Sequence, residues 1–421
     1  MSASALDMMR PGAAEDYYYY SGDTCKKAAI KTTQNTKYIQ QFPNTSGGSS
    51  TFLFPAQNGL QHIVITAQFA ALGSQPNLAL PSAWLYGLIK SVSFRYAGTS
   101  QFSITGQQLF LNAAKSQTSR ASVNDLVNIG GNYAAGDDFL NPQTASIVLT
   151  LPHAHVASGV GQALPFPTDA LTQACQFIVE LYPVNSIFSN PTLAPLPSGC
   201  FNLTNASFQV QQVMLDNQGD ALARRVDLST SAYAFPTEFV QQEVTVPLRN
   251  DTNPQSIVTS GYRAGQLTSI TMWLTNDADM TPNGTASKGF NPLAIYTPVS
   301  LEMVYAGDIY ARYDNGVGQL FNLLNSNKAS AFDLAFVNVN VGGISKPTAF
   351  LAQWLDLPFS QTLCDEDAHF ILFGGKNITN GIININNLVV PYVSSVGWTA
   401  HFSYNYNCSI LFSQGSCDYC F

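Results

Sequence analysis

From Phe52 onward the chain alternates apolar and polar positions in short segments rich in Val, Ile, Phe, Tyr and Thr, cut by Gly, Pro, Asn and Asp. A period of two is the mark of a half-buried β-strand, because successive side chains point to opposite faces. In the first half the pattern predicts strands over 61–69, 89–96, 101–105, 145–151 and 175–182. In the second half it predicts them over 206–215, 240–248, 267–274, 299–305, 332–341, 368–373, 382–390 and 397–412. The last is the cleanest: WTAHFSYNY puts Trp398, Ala400, Phe402, Tyr404 and Tyr406 on one face, expected to be core, and polar or small groups on the other. Helical periods are scarce, so the expected fold class is all-β. The Asn-, Gly- and Pro-rich intervals 113–144, 183–200 and 275–298 exceed a tight turn, and loops of that length usually make contacts or carry function.

The strand text repeats. SVSFRY (91–96) precedes QFSITGQQLF, and SITMWL (269–274) precedes LEMVYAGDIY, which sets Gly106 and Gly307 at matching strand ends. Glycine there commonly supplies a positive φ for a turn. A chain of 421 residues suits two domains of about 200 residues each. Repeat and length together predict two sandwiches of one architecture in tandem, over 51–200 and 201–421, joined within 183–205. Residues 1–50 are expected to form an arm. They hold Tyr17, Tyr18, Tyr19 and Tyr20, the basic residues Lys26, Lys27, Lys31 and Lys37, and NTSGGSS, with no sustained period. Adjacent tyrosines place rings on both sides of an extended strand and suit docking to another subunit or to the chain's own base. The lysines suit acidic headgroups or acidic partner surfaces.

Composition narrows the classes. Only 10% of residues are charged, against roughly 25% in a typical soluble protein. Few long charged side chains means little ordering entropy and little charge desolvation when faces dock, which fits a protein packed against neighbours; a stable secreted β-protein shares this composition. The net charge of −8 argues against sequence-independent nucleic-acid binding, which rests on Lys and Arg releasing counterions. No apolar run reaches the ~18 to 20 residues of a membrane span, and MSASALDMMRPGAAED lacks the charged and apolar regions of a signal peptide, so the expectation is a soluble chain made in the cytosol.

Candidate chemistry is sparse. Seven cysteines, an odd number scattered until CDYC at 417–420, do not make a disulfide framework. Of the histidines His62, His153, His155, His369 and His401, the pair His153 and His155 share a face if extended, but no adjacent carboxylate completes a ligand set. CDEDAHF gathers Asp365, Glu366, Asp367 and His369, the most metal-like stretch, but reads first as an acidic turn before a strand. No metal or other cofactor is expected. GxSxG, HExxH, Walker and dinucleotide fingerprints are absent, so no catalytic residue is assigned. Asn44, Asn202, Asn205, Asn250, Asn283, Asn377 and Asn407 each open an N-x-S/T glycosylation triplet, but without a signal peptide the secretory machinery would not meet them, and an Asn-, Ser- and Thr-rich chain generates such triplets freely.

Several stretches, in order along the chain, resemble one family. ITGQQLF (104–110) is similar to the family's IGGQ.ID turn; LTLPHAH (149–155) and ALPFPTDAL (163–171), running into CQFIVELYP, are similar to its LPLPF and ALPLIAL. LDNQGDALARR (215–225) resembles, with an insertion, the LDTDERRRFA signature that opens the family's second domain, Asp216, Arg224 and Arg225 aligning. LTSITMWL, LEMVYAGDIY and YNYNCSIL resemble KELIWVF, L.LNG.DRF and NYNVLRI. The family is the double jelly-roll major capsid proteins of large nucleocytoplasmic DNA viruses, iridoviruses and algal viruses, with tectivirus and adenovirus relatives. The resemblance implies two tandem eight-stranded jelly-roll β-sandwiches, no enzymatic activity, and a homotrimer whose six sandwiches form a pseudo-hexagonal tile of an icosahedral shell. It further implies a virion location with assembly in the host cell cytoplasm. The implied partners are other copies of the chain, minor capsid and vertex proteins, and an internal viral membrane met through the arm, without sequence-specific nucleic-acid binding. Two readings stay open beside it: a carbohydrate-binding or carbohydrate-active β-sandwich protein, and a viral spike or minor vertex protein.

Overall fold

The computed structural model describes residues 20–21, 24–25, 28–38, 47–54, 60–69, 73–74, 83–97, 99–115, 126, 138–139, 143–150, 171–183, 203–215, 232–240, 243–259, 265–277, 295–314, 335–341, 344–350, 354–358, 376–378, 382–394, 396–413 and 415–420. Its first sandwich has eight strands: β1 (Ala28–Tyr38), β2 (Gly48–Phe54), β3 (Leu60–Phe69), β4 (Ile89–Tyr96), β5 (Thr99–Thr105), β6 (Gln143–Thr150), β7 (Cys175–Leu181) and β8 (Leu203–Leu215). They pair antiparallel as two four-stranded sheets in the orders β6-β3-β8-β1 and β2-β7-β4-β5. The alternation that predicted these strands is what buries them. Along β7 every second residue points inward, and Phe177 and Val179 face Phe94 and Val92 of β4, all buried.

The second sandwich repeats the plan with β9 (Ala232–Val240), β10 (Val244–Leu248), β11 (Gln255–Thr259), β12 (Gly265–Asn276), β13 (Ser300–Tyr305), β14 (Asp308–Asp314), β15 (Leu355–Pro358), β16 (Ile383–Val389) and β17 (Trp398–Ser413), extended by β18 (Ser416–Cys420). One sheet runs β9-β17-β12-β15, with β10 and β18 also on β17 and Lys376–Ile378 on β12; the other runs β11-β16-β13-β14. With β9 and β10 counted as one interrupted strand, the order by rank is 1-8-3-6 and 2-7-4-5 in both halves. Each half is therefore an eight-stranded jelly roll.

Pairing moves the expected boundaries. β1 lies within the stretch expected to be an arm, and β8 lies beyond residue 200, yet β8 pairs with both β1 and β3. A jelly roll closes only when its last strand returns between its first and third, so the first sandwich reaches from 28 to 215. The sequence of β1, AAIKTTQNTKY, is largely polar, and the strand stands at a sheet edge. The strand expected at 240–248 is broken into the end of β9 and β10. That expected at 332–341 is observed as Ala335–Val341, paired with Ile344–Phe350 in a two-stranded hairpin, and 368–373 lies outside the described residues.

Gly106 and Gly307 do not correspond. Gly307 has φ +88° in the two-residue turn joining β13 and β14, where Tyr305 pairs with Asp308 and Ala306 is also left-handed at φ 52°. Left-handed conformation at both central residues is the turn that matches strand twist. Its counterpart follows Tyr96, which pairs with Thr99: Ala97 has φ 51°, and in the sequence the tripeptide Tyr-Ala-Gly recurs at 96–98 and 305–307. Gly106 instead opens helix α2 (Gly106–Lys115), which follows β5 and packs on the short helix α1 (Trp84–Leu88). A Cβ at Gly106 would sit 2.1 Å from the Tyr86 carbonyl oxygen and 2.3 Å from that of Ile89, so glycine is required there for close approach. Phe110 of α2 meets Tyr86 edge to face at 5.5 Å, sealing that end of the core.

Candidate functional site

The face of β17 expected to be core is core: Trp398, Ala400, Phe402, Tyr404 and Tyr406 are fully buried. The opposite face, expected to carry polar or small groups, is also closed. His401 and Ser403, with Trp273 on β12, are buried as well. A second buried face on a sheet needs a second partner, and here the first sandwich supplies it: the indole Nε1 of Trp273 donates to Gln107 Oε1 on α2 at 3.3 Å. The two sandwiches therefore share a packed seam.

At this seam stands a buried polar group. Glu243 lies immediately before β10, where the pairing of β17 passes from β9 to β10. Its Oε1 accepts from His401 Nδ1, and its Oε2 accepts from the Thr105 hydroxyl of β5 at 2.8 Å. On the other side of the imidazole, Nε2 meets Thr275 Oγ1 at 2.6 Å. With Nδ1 donating to the carboxylate, a neutral ring accepts the threonine proton at Nε2 and a protonated ring donates to the threonine oxygen, so either form is satisfied. The ring lies flat on Trp273, with centroids 5.2 Å apart and planes 8° apart. Both side chains are nearly excluded from water, at 11% exposure for His401 and 7% for Glu243. Thr105 does two jobs, because its oxygen also accepts the backbone N–H of Gln108 at 3.2 Å and so caps α2.

A cleft of about 270 Å³ opens above this group, lined from the first sandwich by Lys90, Thr105, Gln107 and Tyr182 and from the second by Glu243, Thr245, Thr275, Asp277, Thr399 and His401. Burial, and then the charge of Glu243, push the Tyr182 phenol above the usual tyrosine range. A second contact joins the halves elsewhere. The carbonyl of Gly415, in the turn between β17 and β18, accepts from the Tyr96 hydroxyl at 2.5 Å, the Thr172 hydroxyl at 3.1 Å and the Thr172 backbone N–H at 2.9 Å.

The residues singled out in the sequence fall elsewhere. His153, His155, Asp365, Glu366, Asp367 and His369 lie outside the described residues, as do Tyr17, Tyr18, Tyr19, Lys26, Lys27, Asn44, Asn202 and Asn283. Tyr20 belongs to the two-residue strand Tyr20–Ser21, paired with Thr24–Cys25. Asn205, Asn377 and Asn407 lie in β8, in the strand Lys376–Ile378 and in β17. The Asn250 amide is already engaged, its Nδ2 donating to the Ser394 carbonyl at 2.5 Å and its Oδ1 accepting from the Ser394 N–H at 3.0 Å. Among the described residues no three His, Cys, Asp or Glu side chains gather in a way that could hold a metal ion. The Glu243–His401 pair was missed because its members stand 158 residues apart. The helix it leans on did leave a signal, since TGQQ at 105–108 has the Thr-x-x-Gln form of a capping box.

No family model matches the sequence, and no curated protein is similar to it. Solved structures are. The capsid of the PBCV-1 virus superposes with a TM-score of 0.62 at 10% identity, covering 96% of this chain and 99% of that one. PBCV-1 VP54, a crystal structure fitted into a reconstruction of the virophage Sputnik, gives 0.61 at 12% identity, covering 94% and 99%. The chain has the double jelly-roll fold of viral capsid proteins. The mavirus major capsid protein gives 0.52 at 12% identity, covering 98% of this chain and 95% of that one. Coverage near the full length of both partners means that the likeness includes both sandwiches in the same order. At these identities it is a likeness of fold, carried by strand order and packing.

Proposed function

We propose that this chain is a major capsid protein, which assembles with copies of itself into the lattice of an icosahedral virus shell. The observation that carries the reading is that both halves have one strand order, within a fold that matches capsid proteins along almost the whole chain. Two sandwiches of one architecture in one polypeptide let three chains present six similar units. Threefold cyclic symmetry closes head-to-tail contacts into a ring, so one patch is used three times without open-ended growth. The resulting six-sided prism tiles a flat lattice. Jelly rolls also keep exposed sheet edges few, which a crowded assembly needs to avoid edge-to-edge pairing. The low charge of the chain supports the same reading, since faces with few Lys and Glu lose little on docking.

In this reading function resides in surfaces and no residue is catalytic. The mature location is the virion, reached from assembly in the host cytoplasm. Residues ahead of β1, with Tyr17 to Tyr20, Lys26 and Lys27, face minor proteins or an internal membrane at the base of the shell. Light scattering on purified protein tests the oligomer: a mass of three chains is expected. A monomer that binds glycans on an array would overturn the reading and return the carbohydrate-binding alternative, and a pentamer would favour a vertex protein.

A further inference from the structure

We propose that the hydrogen-bonded series Thr105–Glu243–His401–Thr275 is a latch that fixes the angle between the two sandwiches. An apolar seam resists separation but tolerates sliding, because the hydrophobic effect is non-directional. A buried carboxylate does not tolerate it. If the sandwiches rotate, Glu243 keeps His401, which belongs to its own sandwich, but loses the Thr105 hydroxyl, and a buried acceptor short of a donor is strongly disfavoured.

The direction of the crossing bond is forced. The backbone N–H of Gln108 occupies one lone pair of Thr105 Oγ1, and the hydroxyl's single proton goes to Glu243. The acceptor is held equally firmly, since its other oxygen binds an imidazole whose plane is set by the Trp273 stack and whose far nitrogen meets Thr275. The same tryptophan crosses the seam a second time, to Gln107. Orientation needs a second anchor at a distance, and β4 shows it. Ile89, at the start of this strand, lines the cleft above the latch, whereas Tyr96, at its end, holds the Gly415 carbonyl. Thr105 of the latch pairs with Ser91, five residues from Tyr96, so at roughly 3.3 Å per residue the two anchors stand about 17 Å apart, enough to block rotation about either one.

The inference stands on the seam alone and holds whether or not the chain builds shells. Its test is the distance between unnatural-amino-acid spin labels placed at exposed Arg95 and Ile309 of the full-length protein, read by double electron–electron resonance. The parent is expected to give one narrow distribution. Thr105→Val and Glu243→Leu are expected to broaden it at least twofold, while Thr105→Ser, which keeps the hydroxyl donor, leaves it narrow. Circular dichroism confirms that each variant is folded; if Glu243→Leu is not, Thr105→Val decides. A distribution as narrow in Thr105→Val as in the parent overturns the latch, and so does equal broadening in Thr105→Ser. A three-chain mass with unlatched sandwiches would fail this inference alone, and a latched monomer would fail only the capsid reading.

Discussion

Replacing Gly106 and Gly307 by alanine, one at a time, separates two reasons for glycine that look alike in the sequence. At Gly106 the added methyl would stand 2.1 and 2.3 Å from two backbone carbonyl oxygens, with no flexible side chain able to swing away. Helix α2 would have to shift by about an ångström against α1 and β4, and overpacking of this kind costs about 3 kcal/mol at the upper end of the usual range. The smaller unfolded-state entropy of alanine returns at most about 1 kcal/mol. The net loss of about 2 kcal/mol or more lowers the midpoint of a sandwich of about 200 residues by roughly 4 to 8 °C. At Gly307 nothing lies within 4 Å of the added methyl, and the cost is that of a left-handed alanine alone, about 1 kcal/mol, partly offset in the same way. Its neighbour Ala306 already adopts that conformation. Differential scanning calorimetry of both variants beside the parent provides the readout. A Gly106→Ala midpoint equal to or above the parent's, as helix propensity alone would give, refutes the packing derived for α2, and so does a Gly307→Ala loss as large as that of Gly106→Ala.

Other expectations follow from burial and pairing. Trp398→Ala empties a fully buried site where the ring meets Tyr296 and Tyr392 edge to face and its N–H reaches the Tyr392 carbonyl, so urea unfolding should show a loss of about 3 to 5 kcal/mol. Burial raises the phenol pKa of Tyr86, Tyr182 and Tyr313, so above pH ~10 the unfolded chain gives up protons that the folded chain keeps. The contribution of these tyrosines to stability should be constant below that pH and fall above it, and ultraviolet titration should show a tyrosine fraction that ionises only with unfolding; full ionisation in the folded state would contradict the burial. Deleting residues 1–27 should leave a folded protein, whereas deleting 1–50 removes β1 and the start of β2, uncovers an edge of β8 and should abolish soluble expression. Equal yields from the two deletions would show that β1 is dispensable.

What was legible in the sequence follows from how local each signal is. Alternation from Trp398 to Tyr406 is written in consecutive residues and named the core face directly. The doubling of the strand text was legible too, although the glycine match was out of register, because the true repeat is the tripeptide beginning at Tyr96 and Tyr305. β1 was not legible, since an edge strand rich in Lys, Thr and Gln has no apolar face to announce it. α2 left only the capping-box form of TGQQ, because Leu109, Phe110 and Leu111 make a continuous apolar run in a helix of ten residues, too short to establish a helical period. The burial of the second face of β17 could not be read at all. Ser403 and His401 look like wet-side residues until another sandwich covers them, and that cover is a property of how the halves meet. The Glu243–His401 pair is likewise a product of tertiary structure, since Glu243 is aimed into the seam at an interruption of strand pairing that leaves no mark in composition.

We propose that a chain holding the same jelly roll twice imitates sixfold geometry when three copies join. Averaged electron-microscope projections of the purified native protein, viewed along the particle axis, test it most directly. The expected image has threefold symmetry and six lobes of similar size on a six-sided outline; two-lobed single chains, or a ring of any other order, would contradict it.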